Sequence, residues 1–168
     1  DNVSSSAIKS FVNEEQISRP LLSNVERLAV AIHMNYNEKR LKDFPNEPLA
    51  YLNFSDLPDD MKYSNIRQAS GIYEKLALIS CTLKDKTGNA YKLSEDEIEL
   101  LAEKEHEDWV DERIALGWTL GPKDVEKKQS PYLIPYSELT EEIKDYDRDT
   151  IRNIPKLVEM IGLEIRRR

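Results

Sequence analysis

Apolar residues recur at helical spacing in four stretches of this chain. In the first stretch the spacing predicts a helix from about Asn24 to Leu41, whose apolar stripe consists of Val25, Leu28, Ala29, Ile32 and Tyr36. The same periodicity predicts three further helices, over residues 59 or 64 to 81, 95 to 116, and 140 or 147 to 161. The pattern therefore indicates a mainly α fold.

Short extended segments and turns separate these helices. Gly88 and Asn89 predict a hairpin turn between extended residues 81–83 and 90–93. Ser94, with Glu97 three residues later, forms a capping-box pattern for the third helix, and Gly117 is suited to end it. Short strands are expected at 133–134 and 163–165, and Pro155 predicts a kink or break in the last helix.

The two histidines lie in one motif that occurs twice. A constant offset of 73 residues relates six positions of the two copies, which are Glu26, Leu28, Ala29, His33, Tyr36 and Arg40 in the first and Glu99, Leu101, Ala102, His106, Trp109 and Arg113 in the second. A second pair of similar segments, beginning at Phe54 and Tyr136, has an offset of 82 residues. The second copy therefore carries nine extra residues between its halves. This self-similarity indicates an internal duplication.

The duplication predicts the domain organisation. Residues 24–93 form the first repeat with a connector, residues 94–168 form the second, and the polar, serine-rich residues 1–23 are expected to be a linker to a longer polypeptide. Because repeats of this size are marginal alone, we expect two helix-loop-helix repeats, related by a pseudo-twofold axis and packed as one compact unit.

Composition narrows the class of partner and compartment. The net charge of -8 argues against a broad nucleic-acid-binding surface, which needs a basic stripe. No apolar run approaches the roughly 18 to 20 residues of a membrane span. The single cysteine, Cys81, cannot form an internal disulfide and is expected to be a core residue, which favours the cytoplasm.

The duplicated motif places a histidine, an aromatic residue and an arginine along one side of a helix. His106, Trp109 and Arg113 have the spacing i, i+3, i+7. An aromatic ring beside a donor and a guanidinium can stack a planar heterocycle and neutralise a phosphate. The alternative is that the aromatic rings belong to the core and the polar groups are satisfied internally.

Catalytic and metal-binding patterns are not found in the sequence. Neither histidine has a serine or cysteine at a spacing that would make it a nucleophile's base. The run 105–108 (EHED) lacks a second histidine four residues on, and the run 85–90 (DKTGNA) has alanine where a calcium loop needs glycine. We therefore expect no enzyme, no metal and no cofactor.

Four segments of the second repeat resemble the ryanodine receptor repeat, the RyR domain. They are residues 105–113 (EHEDWVDER), 117–122 (GWTLGP), 131–139 (PYLIPYSEL) and 144–148 (KDYDR). The first repeat is similar to the degenerate copy that precedes this domain in prokaryotic proteins. The resemblance covers residues 97–165 and implies a helical module without enzymatic activity, often fused to other domains of one polypeptide.

The resemblance also implies a ligand site. It associates an adenine nucleotide or related small molecule with the cleft between two repeats, lined by residues that match His106, Trp109 and Asp147, with His33, Tyr36 and Asn65 as their counterparts. Arg40 and Arg113 would face a phosphate. Tyr36 stands where a second tryptophan is usual, so we expect the second repeat to hold the ligand. The alternative function is a protein-interaction or assembly domain.

Overall fold

The computed structural model describes residues 23–168, so the expected linker lies outside the described residues except for Ser23. This part of the chain contains five α-helices, four short β-strands and two 3₁₀ helices, which confirms a mainly α fold with short strands. It divides into two compact units, of which the first ends at Tyr91 and also includes Pro155–Arg168, while the second is Lys92–Ile154. The sequence assigned residues 155–168 to the second repeat, whereas their contacts group them with the first unit.

Two long helices form the larger part of the first unit. Helix α1 (Asn24–Asp43) begins one residue after Ser23, whose hydroxyl accepts a hydrogen bond from the backbone N–H of Glu26 at 3.2 Å. Ser23 is thus the N-cap of α1, and the predicted start of this helix at Asn24 is confirmed. Helix α2 (Asp59–Leu78) packs against α1, and a 3₁₀ helix (Phe54–Asp56) lies in the loop between them. The fully buried apolar side chains of this pair are Leu28, Ala29, Ala31, Ala69 and Leu76.

Strands β1 (Cys81–Asp85) and β4 (Leu163–Arg167) form an antiparallel pair in the first unit. The expected hairpin across Gly88 is therefore wrong, because β1 pairs with the end of the chain instead of with residues 90–93. The carboxylate of Glu164 accepts hydrogen bonds from the backbone N–H groups of Thr87 and Gly88, which holds this turn beside β4. Tyr91 then donates its N–H to the carbonyl of Ile165 at 2.7 Å.

The second unit is built on helix α3 (Glu95–Ala115) and helix α4 (Glu141–Arg152), which pack against each other. The predicted capping box between Ser94 and Glu97 is present at the start of α3. Gly117 follows the helix with a φ of 88°, the left-handed conformation that favours glycine. Strands β2 (Thr119–Leu120) and β3 (Gln129–Ser130) pair in parallel.

A second 3₁₀ helix occupies Tyr136–Glu138, just before α4. The strand expected at residues 133–134 is not formed, since these residues enter the 3₁₀ helix through an irregular turn. The predicted break near Pro155 is confirmed. Helix α4 ends at Arg152, and a short helix α5 (Ile154–Met160) follows Asn153. Proline lacks the N–H that an unbroken helix would need there.

The element boundaries repeat at the offset found in the sequence. The 3₁₀ helices at Phe54–Asp56 and Tyr136–Glu138 differ by 82 residues, as do the start of α2 and the start of α4. Strands β1 and β4 differ by 82 residues as well, and Leu83 lies opposite its counterpart Ile165 in their pairing. The antiparallel strand pair is therefore formed by equivalent segments of the duplicated pattern.

Candidate functional site

His106 is held on α3 by one strong hydrogen bond. The side chain is buried, and its Nε2 lies 2.7 Å from the backbone carbonyl of Ile134. Because a carbonyl only accepts, Nε2 must carry the hydrogen of this bond. In the neutral ring Nδ1 is then an acceptor, and it lies 3.6 Å from Oδ2 of Asp147. Two acceptors thus face each other unless one of them binds a proton.

Asp147, on α4, is a half-buried carboxylate whose side chain is 18% exposed. Burial raises its pKa to about 6, the neighbouring His106 opposes this shift, and the charge of Glu105 adds to it. Within residues 23–168 no lysine or arginine lies at ion-pair distance from the Asp147 carboxylate. Among the described residues, its one ion-pair partner is therefore His106.

The aromatic ring of Trp109 contacts both His106 and the positively charged Arg113. Its ring lies nearly parallel to the ring of His106, with centroids 5.8 Å apart and an interplanar angle of 22°. The guanidinium carbon of Arg113 lies 5.6 Å from the Trp109 ring and 5.2 Å from the Trp118 ring. In the described part of the chain Arg113 contacts these two rings and forms no ion pair with a carboxylate. The guanidinium charge is thus available to an anion.

A second network, not singled out from the sequence, positions the site. The guanidinium of Arg148 donates two hydrogen bonds to the Glu99 carboxylate, at 2.7 and 3.0 Å. Tyr136 donates its hydroxyl to the same carboxylate at 2.8 Å, and Lys144 lies 5.2 Å from the Tyr136 ring. These bonds lower the pKa of Glu99 to about 2, and burial raises the pKa of Tyr136. The network links α3 to the 3₁₀ helix and to α4. Ile134 lies just before this 3₁₀ helix in the chain, and Asp147 is next to Arg148 on α4.

The sequence contained a signal for this network. Glu99 is the first member of the duplicated motif, and Tyr136 and Arg148 lie in segments that carry the family resemblance. The spacing along the chain, 37 residues from Glu99 to Tyr136 and 49 to Arg148, gave no indication that the three side chains meet. Such contacts depend on how the two helices pack.

The first unit has a histidine in the corresponding place with a different environment. Nε2 of His33 lies 3.1 Å from the carbonyl of Tyr51, and Nε2 of His106 lies 2.7 Å from that of Ile134. Asn37 donates its amide to the same carbonyl at 2.9 Å and lies 3.2 Å from the His33 ring nitrogen. Burial lowers the pKa of His33, although the carbonyls and the charge of Asp56 partly oppose this. This histidine is part of a satisfied buried network.

The remaining first-unit residues do not assemble as in the second unit. Tyr36 is 59% exposed. Arg40 forms an ion pair with Glu47 at 2.7 Å, and its guanidinium lies over the ring of Phe44 at 4.4 Å. Asn65 is half-buried and neutral where the second unit has Asp147. The structure thus brings together His106, Trp109, Arg113 and Asp147, whereas the first unit neutralises its arginine locally.

Two kinds of site are not found among residues 23–168. No group of three histidine, cysteine or carboxylate side chains is placed to hold a metal ion. None of the helices in this part of the chain combines the length and the apolar character that a membrane span requires.

One comparison with known proteins bears on the second half of the chain. The family model of the RyR domain matches residues 91–167. This range contains α3, α4, the whole of β4 and every residue of the His106–Trp109–Arg113–Asp147 group. The RyR domain is a non-enzymatic module, and a match of this kind names no ligand. Residues 91–167 are a RyR domain, and the protein belongs to the RyR-domain proteins.

Proposed function

We propose that this RyR domain is a non-catalytic regulatory module that binds a planar, nucleotide-like ligand on the side of α3 that carries His106, Trp109 and Arg113. The observation that supports it most is the juxtaposition of a stacked His106–Trp109 pair, a half-buried Asp147 whose ion-pair partner among residues 23–168 is His106 alone, and an Arg113 that has no carboxylate partner among those residues. Groups that the protein itself leaves unpaired are the ones a ligand can pair.

The order of these groups along α3 fits the parts of a nucleotide. His106 and Arg113 are seven residues apart, which is about 10 Å of helix, with Trp109 between them. A base could stack on the Trp109 ring, its edge could reach Asp147, and Arg113 could pair with a phosphate. This arrangement would assign one part of the ligand to each side chain.

The histidine geometry supports a binding role over a catalytic one. Nε2 of His106 is already bonded to the carbonyl of Ile134, and its Nδ1 faces only Asp147 among the described ionisable groups within 4 Å. A general base must reach the proton of a nucleophile. Here the imidazole of His106 instead packs beside the Trp109 ring and is held in place by its hydrogen bond to Ile134. A reducing, cytoplasmic location is also part of the proposal, since a chain with a single cysteine, Cys81, cannot form an internal disulfide.

Calorimetric titration with ATP, ADP-ribose, NAD and GMP tests the proposal. We expect at least one of them to bind, and Trp109→Ala to weaken its binding about tenfold or more, because stacking on an aromatic ring contributes about 1–3 kcal/mol per base. Tyr36→Ala is the matched control, since Tyr36 occupies the equivalent position in the first repeat and is exposed. Failure of all four nucleotides to bind, or equal loss in both variants, would refute the proposal.

A protein-interaction module is the second candidate. It is supported by four exposed apolar side chains between the end of α3 and β3, namely Ile114, Leu116, Leu120 and Val125. Such side chains often mark contact surfaces. Crosslinking in cells followed by mass spectrometry would test it. The double variant Leu116→Ser, Leu120→Ser should lose its crosslinks while retaining nucleotide binding, whereas unchanged crosslinks would count against this candidate.

A further inference from the structure

We infer that the site around Asp147 selects a base whose edge presents two adjacent N–H donors, as guanine does, over adenine. This inference rests on the proposed function, because it names the ligand class of the same site. It differs from the adenine nucleotide that the sequence resemblance implied, and it follows from the chemistry of a single carboxylate.

Among residues 23–168, no hydrogen bond is donated to the Asp147 carboxylate, and its ion-pair partner there is His106. Nδ1 of His106 lies 3.6 Å from Oδ2 of Asp147, which is beyond hydrogen-bond distance, and in the neutral ring this nitrogen is an acceptor because Nε2 carries the hydrogen. Glu105 adds a negative charge nearby instead of a donor. A half-buried carboxylate in this state is stabilised most by a ligand that supplies N–H groups.

Two parallel N–H donors match the two oxygens of a carboxylate. Arginine uses this geometry with Glu99, where the guanidinium of Arg148 donates at 2.7 and 3.0 Å. Guanine carries an equivalent fork in its ring N1–H and its 2-amino group. Adenine offers one amino group beside an unprotonated ring nitrogen, so one carboxylate oxygen would face a second acceptor. A site with this demand discriminates strongly between the two bases.

An amide at the same position would reverse the preference. The asparagine side chain presents one acceptor and one donor, which is the pattern that pairs with adenine in a bidentate contact. Asp147→Asn changes neither the size nor the shape of the side chain appreciably. The variant therefore tests the recognition chemistry without removing the contact surface. Asp149→Asn is the matched control, because Asp149 lies on the same helix and pairs with Arg152 at 3.1 Å.

Trp fluorescence or calorimetric titration at pH 7.5 with GMP, IMP and AMP tests the inference on the protein as it exists. We expect wild type to bind GMP about tenfold or more tightly than AMP, since one bidentate contact discriminates by about that much. IMP lacks the 2-amino group, so its affinity should lie between those of GMP and AMP. Asp147→Asn should lose the preference for GMP and gain affinity for AMP, and Asp149→Asn should behave as wild type.

The outcomes separate this inference from the proposed function. AMP binding as tightly as GMP in wild type, with Trp109→Ala weakening both, would overturn the inference and leave the ligand site in place. An unchanged GMP preference in Asp147→Asn would overturn it too, because the carboxylate would then not be the selecting group. Absence of binding by GMP, IMP and AMP, together with ATP, ADP-ribose and NAD, would overturn the proposed function itself. Near-ultraviolet circular dichroism confirms that each variant is folded.

Discussion

We expect Asp147 to destabilise the unliganded protein at neutral pH, so that replacing it by asparagine makes the protein more stable. Its pKa is 3.8 in an ordinary environment and is raised by burial to about 6. The folded state therefore binds the proton more tightly than the unfolded state does. The resulting penalty on the folded state is complete above pH 6, and it disappears as the pH falls below about 4.

The size of the effect follows from the shift. A rise of about two pKa units corresponds to about 3 kcal/mol when the carboxyl is fully ionised. Because the side chain keeps some contact with solvent, which screens its charge, we expect about 1 to 2 kcal/mol. Asp147→Asn should raise the free energy of unfolding by this amount at pH 7 and leave it nearly unchanged at pH 3, where the carboxyl is protonated in both the folded and the unfolded state.

Urea unfolding at pH 3, 5.5 and 7, followed by tryptophan fluorescence, measures this difference. The chain has two tryptophans, Trp109 and Trp118, and both lie in the second unit, so the signal reports the unit that contains Asp147. Asp149→Asn serves as the control, because the Asp149 side chain is 73% exposed and should change stability by less than about 0.5 kcal/mol. A loss of stability in Asp147→Asn at pH 7, or an equal gain at pH 3, would refute the reasoning.

Three further substitutions test the scaffold by the same urea assay. Glu99→Gln should lower the free energy of unfolding by about 1 kcal/mol at pH 7, because it removes the paired hydrogen bonds to Arg148. Since the pKa of Glu99 is lowered to about 2, this loss should fade between pH 4.5 and pH 2. A loss that stays constant with pH would contradict this prediction. Ser94→Ala should cost about 1 kcal/mol through the lost capping box, and no loss would mean that α3 is held without its cap. Gly117→Ala should cost about 1 kcal/mol because of its φ of 88°, and an unchanged midpoint would show that the turn rearranges.

Local signals in the sequence predicted most helix boundaries. The capping box at Ser94, the positive-φ glycine at Gly117 and the break before Pro155 depend on residues within one or two turns of each other. Periodicity then identified the buried stripes, including Leu28 and Leu101, which are fully buried. Such features could be predicted because their causes are local.

Pairings between distant segments could not be predicted in this way. Gly88 and Asn89 favoured a local hairpin, yet β1 pairs with a strand that lies 82 residues further along the chain. The competing interaction is the carboxylate of Glu164, which holds the turn against β4. The same limit applies to the site, where spacing aligned His106 with Trp109 on one helix but only packing brought Asp147 to the histidine.

The differences between the two copies of the motif argue for a ligand in the second. In the first copy the arginine, Arg40, is neutralised by Glu47, and the residue equivalent to Asp147 is the uncharged Asn65. The first copy shows that this framework can accommodate a neutral, internally satisfied arrangement. A purely structural role therefore gives no reason for the second copy to keep an arginine beside Trp109 that has no carboxylate partner among residues 23–168, and a half-buried carboxylate whose pKa is raised by burial. A ligand that pairs with both charges gives that reason, since its binding would recover the stability that the unliganded site loses.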